Sequence, residues 1–260
     1  MDNLLEVTGA FSGYKDKLVI KDVSFNISEG EFIGLIGPNG AGKSTLFKTL
    51  TGILPLLKGS IFYQGIDLTK MNYNERAKKI AVLPQIFEIQ FSYSVEEFIL
   101  LGRFPYLDKF SPFSEKDGVV TDKIINMLSL DKIRKKKINE TSGGELQKVL
   151  IAQAFVQEPE LLLLDEPTSH LDIGSQIEIM DILKNFNKDG LTVISVLHDL
   201  NLASEYCSRL ILLNEGEIVK DGLPQEVMDY KLIEQVYRTR VVIKENPYSK
   251  KPFLILYTGK

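Results

Sequence analysis

Only one cysteine, Cys207, stands among the 260 residues, so no intrachain disulfide can form and a reducing compartment is the natural setting. Basic residues hold no majority: 31 Lys and Arg face 35 Asp and Glu, for a net charge of −4. That balance offers no general attraction for nucleic acid or anionic lipid, and no basic face interleaved with aromatic residues stands out. Long apolar runs are missing too. Nothing approaches the stretch of about 18 apolar residues that crosses a membrane as a helix, and the N-terminus lacks the basic-then-apolar pattern of a signal peptide. The expectation is a soluble, cytosolic protein. Repeats and low-complexity tracts are absent, and the short basic run Arg134-Lys135-Lys136-Lys137 reads as a solvated loop.

What is present favours a large core. Hydrophobic residues make up 44% of the chain, enough for one large α/β domain or a core with a smaller insert. Val23, Phe25 and Ile27 alternate with Ser24, Asn26 and Ser28, the period of a half-buried strand, within a β-rich opening over residues 3–36. A short strand is expected at 60–64, between Gly59 and Gly65. From about 86 to 157 strand patterns are scarce, and residues 94–101, 115–128 and 145–157 favour helix. Strands at 161–164, 192–197 and 210–213 then alternate with helices at 173–186 and 200–207, the last of which carries Cys207 toward a core. Alternation of this kind calls for a mostly parallel sheet with covering helices.

The segment Gly37-Pro38-Asn39-Gly40-Ala41-Gly42-Lys43-Ser44-Thr45 fills the template G-x-x-x-x-G-K-[ST], whose backbone N–H groups wrap nucleotide phosphates. An apolar strand, Phe32-Ile33-Gly34-Leu35-Ile36, precedes it, and a helix with Leu46, Phe47 and Leu50 on one face follows. Glycines let the backbone close on phosphate, and the helix N-terminus adds partial positive charge. In such a loop Lys43 reaches the β- and γ-phosphates and the Ser44 hydroxyl ligates Mg²⁺. The sequence is that of a nucleoside-triphosphate-binding protein.

Leu161-Leu162-Leu163-Leu164-Asp165-Glu166 reads as a buried strand delivering two carboxylates at its end. Beside a phosphate loop, Asp165 suits Mg²⁺, and Glu166 suits general-base work or the orientation of water. In Thr141-Ser142-Gly143-Gly144-Glu145, Ser142 and Glu145 have the spacing of a capping box, which starts a helix carrying Leu146, Val149, Leu150 and Phe155. The same glycine-rich helix start can present N–H groups to an anion. A chain with one complete phosphate loop has no evident need of a second anion site, which suggests that a partner subunit's nucleotide docks there.

Other segments extend this ordered set: Leu83-Pro84-Gln85, Ser169-His170-Leu171-Asp172 and Leu197-His198-Asp199, with Tyr14 upstream. Taken in order, the set resembles the nucleotide-binding subunit of an ABC transporter over nearly the whole chain. Thr141 and Glu145 depart from the family's usual LSGGQ signature, while Ser142, Gly143 and Gly144 keep it. The resemblance implies ATP and Mg²⁺ as cofactors, with Gln85 sensing Mg²⁺ and water, His198 donating to the γ-phosphate, and Tyr14 stacking on adenine. Ser44, Gln85 and Asp165 are the implied Mg²⁺ set. Glu166, His198, Gln85 and Lys43 are the implied catalytic set.

The implied fold is α/β: a P-loop NTPase core with a mostly parallel sheet, an N-terminal antiparallel β subdomain and a helical subdomain insert. The whole chain forms one ATPase domain, with residues 1–85 and 159–229 as core, 86–158 as helical insert and 230–260 as a short C-terminal extension. The implied assembly is a head-to-tail homodimer that closes on ATP, each nucleotide lying between one phosphate loop and the opposite Ser142–Glu145 helix. A transport role needs a separate permease, met near residues 85–106 at the inner face of the membrane, and indirectly a substrate-binding protein. Phe87, Phe91 and Tyr106 are the expected surface contacts there, with Tyr93, Phe104 and the helix at 95–101 beside them. The stretch at 94–105 and the tail after about Tyr230 resemble importers of iron–siderophore, haem and cobalamin. Importers of molybdate/tungstate or manganese/zinc are near neighbours, and a soluble ABC-type assembly factor is the rival reading. Nucleic acid is not an expected partner.

Overall fold

Five consecutive apolar or glycine positions, Phe32–Ile36, are all buried, and they form a strand with a parallel neighbour on each side. The computed structural model describes residues 3–15, 17–85, 92–108 and 111–257. In chain order the elements are β1 (Asn3–Tyr14), β2 (Lys17–Ser28), β3 (Phe32–Ile36), α1 (Lys43–Leu50), β4 (Leu56–Tyr63) and β5 (Ile66–Asp67). Then come α2 (Tyr73–Lys79), β6 (Ile80–Leu83), α3 (Val95–Leu100), α4 (Glu115–Met127), α5 (Gly143–Phe155), β7 (Leu161–Asp165) and α6 (Ile173–Lys188). The last third runs β8 (Thr192–Val196), α7 (Leu200–Tyr206), β9 (Arg209–Asn214), β10 (Glu217–Gly222), α8 (Pro224–Val227), α9 (Tyr230–Tyr237), β11 (Val241–Glu245) and β12 (Pro252–Leu256). The chain packs as two units, Met1–Lys70 with Thr192–Lys260, and Met71–Leu191.

In the first unit, β1 pairs antiparallel with β2 and with β4, and β4 with β5. The alternation read from β2 is the observed one: Val23, Phe25 and Ile27 are buried while Ser24 and Asn26 are exposed. A second sheet places β3 between β8 and β9, parallel to both, with β10 antiparallel to β9. Gly34 lets the neighbouring side chains pack close to β3, since a Cβ there would lie 2.7 Å from Leu210 Cδ2 and 3.0 Å from Cys207 Sγ and would make them shift. Cys207 is fully buried, a core residue as expected, although it caps α7 rather than lying within it. The sequence reading missed β10, whose strand EIVKDG is polar and buried at no position; it exists because the Glu215-Gly216 turn, with both φ values positive, folds it back on β9.

The second unit holds β6 and β7 as a parallel pair, Ile80 opposite Leu161 through Leu83 opposite Leu164. Helices α3 to α6 accompany them, and the Phe155 and Phe186 rings stack with centroids 3.7 Å apart. Val95, Phe98 and Ile99 are core residues of α3. Arg103 is 1% exposed; its guanidinium donates to Asp117 at 2.9 Å, to Glu158 at 2.7 Å and to the Val156 carbonyl at 2.7 Å.

The basic run is a turn in which Lys135 and Lys137 are exposed, as read, but it is tied down by its partners. Arg134 pairs with Glu96 (2.6 Å) and Asp122 (2.5 Å), Lys135 pairs with Glu96, Lys136 with Glu145 (3.1 Å), and Lys137 donates to the Ser92 carbonyl (3.1 Å). Its backbone is tied as well, since the N–H groups of Val95 and Glu96 donate to the carbonyls of Lys136 and Arg134. Acidic residues distant in sequence recruit it, which a local pattern does not reveal. Among the described residues no helix is long and apolar enough to cross a membrane.

Candidate nucleotide site

On the first unit the loop after β3 is shaped by glycine. Gly37, Gly40 and Gly42 have φ of 147°, 80° and 103°, a region where side chains are strained. At Gly37 space forbids a side chain too, because a Cβ would fall 2.1 Å from the Leu213 carbonyl oxygen. Lys43 is 6% exposed, and its amine donates back to the carbonyls of Gly37 (2.7 Å) and Pro38 (3.0 Å). Pro38 and Ser44 are half-buried, Asn39 and Gly40 exposed, and Ala41 and Thr45 buried. The cation is therefore held at the mouth of the loop.

Helix α1 begins at Lys43 without a side-chain cap and without an acid in its first turn. By contrast, α2, α3, α4, α5, α6, α7 and α9 each start with a side chain accepting from the first turn. Uncapped N–H groups, the helix dipole and a buried ammonium together make an anion cradle.

Tyr14 ends β1 and is 45% exposed, and Lys48 Nζ sits 5.9 Å from its ring centroid. His198 is exposed just beyond β8, and Asp199 beside it caps α7 by accepting the N–H groups of Asn201 and Leu202. His198 shares a cleft with Leu200, Ile233, Tyr237 and Leu256. Tyr237 was missed by sequence reading, since nothing local marks it. Its buried hydroxyl is pushed up to about 12 by desolvation, with the Gly37 backbone acting in the opposite direction.

On the second unit, parallel pairing of β6 and β7 sends both chains out at the same end. Gln85 follows one strand and Asp165-Glu166 finish the other, so residues far apart in sequence meet: Gln85 Nε2 donates to Glu166 Oε2 at 2.7 Å. Asp165 is 5% exposed. Glu166 adopts φ 56°, and its carbonyl accepts from the Ser169 N–H and hydroxyl. A strained backbone at a carboxylate is the sort of outlier that accompanies functional sites.

The capping box at α5 is present as read: Ser142 Oγ accepts the Glu145 N–H, and the Glu145 carboxylate accepts the Ser142 N–H at 2.8 Å. That bond, with Lys136 adding to it, holds the Glu145 carboxyl below its ordinary range. Ser142, Gly144, Glu145, His170 and Asp172 line one recess. Gly143 is not required by packing within the unit, where a Cβ would meet Leu171 Cδ2 at an ordinary 3.9 Å. Tyr106 turns inward: its hydroxyl donates to the Gln157 carbonyl (2.9 Å) and Arg103 lies 3.8 Å from its ring centroid. The exposed aromatic of that segment is Phe104, at 66%. Phe87 and Phe91 lie outside the described residues.

The donors expected for Mg²⁺, a hydroxyl, a carboxylate and an amide, are all hard oxygens. Among the described residues no group of three or more His, Cys, Asp or Glu forms a cage. That sparse set fits an ion bound through one carboxylate, waters and the phosphates of its substrate.

A sequence profile described as ABC transporter matches residues 20–169. The iron(3+)-hydroxamate import ATP-binding protein FhuC of Bacillus subtilis (strain 168) is 36% identical over 246 residues, covering 94% of this chain and 91% of FhuC. An uncharacterized ABC transporter ATP-binding protein of the same organism, YvrA, is 36% identical over 258 residues, 98% of this chain; the chain spans 58% of YvrA's length. Among solved structures, an ABC transporter assigned to the metal-chelate type, in an inward-facing conformation, superposes with a TM-score of 0.86 at 27% identity, covering 99% of this chain and 98% of that one. A dimeric ATP-binding cassette in a post-hydrolysis state, bound to ADP and Pi, gives a TM-score of 0.73 at 30% identity, covering 84% of this chain and 98% of that one.

Proposed function

This chain belongs to the ABC transporter family, and from that premise we propose that it is the ATP-hydrolysing subunit that energises an importer of iron–siderophore-type metal chelates. Likeness to FhuC over almost its whole length supports the substrate class. The observation that carries the ATPase reading is the uncapped start of α1 beside the buried Lys43.

In this reading Lys43 and the loop N–H groups bind the β- and γ-phosphates, and Tyr14 offers its open ring to the base. Glu166 accepts a proton from the attacking water, and the Gln85 amide, already bonded to Glu166, orients that carboxylate. His198 donates to the γ-phosphate. Ser44, Asp165 and Gln85 would hold Mg²⁺, which would supply charge neutralisation to the phosphate oxygens. Two copies face head to tail, as the dimeric cassette that this chain resembles supports, and Ser142–Glu145 of each receives the nucleotide of the other. Hydrolysis opens the pair, and that motion drives a permease at the inner face of the membrane. Phe104 belongs to the surface that meets the permease.

Glu166→Gln keeps the shape of the side chain but removes its charge and with it the proton acceptor. It is expected to retain nucleotide binding while steady-state hydrolysis falls at least about 100-fold. Hydrolysis at the parent rate would remove Glu166 from this role. Co-purification of the chain with a polytopic membrane protein tests the transport reading, and isolation only with soluble partners would contradict it.

A further inference from the structure

Lys136 lies in the basic run between α4 and α5, outside every motif of the nucleotide site. Its backbone is fixed on both sides of its Cα: the N–H donates to the Ile133 carbonyl at 2.8 Å, and the carbonyl accepts the Val95 N–H at 3.0 Å. From that base its amine reaches the Glu145 carboxylate at 3.1 Å, with the two side chains 34% and 30% exposed. Glu145 stands where the family signature usually has a neutral Gln. A carboxylate in the first turn suits the dipole of α5 but opposes any phosphate brought to that helix end. The other charges of the recess are engaged elsewhere: Lys148 pairs with Glu178 at 3.0 Å, and Asp172 accepts from the Ser175 N–H and hydroxyl. His170 lines the same recess.

We propose that Lys136 is a positioning residue for nucleotide capture, acting through Glu145. Its ammonium cancels the charge of that carboxylate and holds it back on the Ser142 cap, which leaves the N-terminus of α5 electropositive toward the triphosphate of a second copy. Lys136 thereby compensates for the acid in the signature, and only a chain with Glu at this position needs it. The proposal rests on the reading above that Ser142–Glu145 receive nucleotide.

The test uses the full chain carrying Glu166→Gln, with dimerisation followed by sedimentation as Mg-ATP is titrated. Lys136→Met keeps the aliphatic stem and removes the charge; it is expected to raise the half-saturating ATP about tenfold, the effect of one uncompensated charge in a partly solvated site. Lys136→Arg restores the parent value to within about twofold. In a Glu145→Gln background, Lys136→Met adds less than about twofold, because a neutral amide needs no counter-charge. That last comparison separates positioning from a general structural role, which would cost the same in either background. A silent Lys136→Met, or an equal penalty in both backgrounds, overturns the assignment. Ser142→Arg, which places a bulky cation on the cap, is titrated in parallel. If it leaves ATP-driven dimerisation intact, the reading of Ser142–Glu145 falls and the assignment with it. If it blocks dimerisation while Lys136→Met is silent, only the Lys136 assignment falls.

Discussion

The phosphate loop on the first unit is built from buried backbone, whereas the Ser142–Glu145 cap on the second is built from half-exposed charge. Around Gly37 and Lys43, shape is imposed by contacts that admit no atom more: a carbonyl 2.1 Å from a would-be Cβ, and an amine folded onto two carbonyls. Around Glu145, shape depends on a capping bond and one ion pair reachable by solvent. Packed backbone is stiff and insensitive to salt; partly exposed ion pairs are weak, screened and adjustable. On the proposed reading, a site that must fix its own nucleotide through the hydrolysis step benefits from the first construction. One that must engage and release a partner's nucleotide benefits from the second.

The sharpest way to break the contrast is Gly37→Ala. The new methyl group meets the Leu213 carbonyl and the residue keeps a positive φ, so nucleotide binding is expected to vanish and stability to fall by several kcal/mol, on the order of 3. Gly40 has φ 80° but open space around it, so Gly40→Ala is expected to cost only about 1 kcal/mol. Equal effects in chemical denaturation would mean that packing does not define the loop.

Arg103 departs from this division, since it places charge in the interior of the second unit. Arg103→Met leaves Asp117 buried without its cation and is expected to cost about 3 kcal/mol in urea unfolding. A loss under about 1 kcal/mol would show that the guanidinium contributes no more than a surface pair does.

The smallest effect is expected in the basic run. Hydrogen bonds from Arg134 and then Lys135 hold the Glu96 carboxyl at about 2 instead of its ordinary 4.5. A carboxyl depressed on folding contributes stability that is complete above about 4.5 and is lost as pH falls toward 2. Glu96→Gln is therefore expected to cost no more than about 1 kcal/mol at pH 7 and to flatten the acid side of the thermal-stability profile. A Glu96→Gln profile parallel to the parent's between those pH values would contradict the pairing.

What the sequence made legible follows the same division. The phosphate loop and α1 were readable because glycine spacing, Lys43 and the apolar strand before them are local signals, and α1 runs Lys43–Leu50 as expected. The Ser142–Glu145 cap was readable because a capping box needs only four residues. The Gln85–Glu166 bond was not readable as geometry: it depends on the register of β6, a four-residue strand entered directly from α2, which periodicity does not resolve. Lys136, Arg103 and Tyr237 escaped for a related reason, since each acquires its role from a partner at least nine positions away. The inward turn of Tyr106 likewise depends on Arg103 and Gln157, not on its own segment.

The claim that both halves serve one nucleotide, each supplied by a different copy, is tested most directly by sedimentation of the Glu166→Gln chain with and without Mg-ATP. The predicted result is a monomer without nucleotide and a stable dimer with it, a dimer that Ser142→Arg abolishes. A chain that binds Mg-ATP yet remains monomeric would contradict the account.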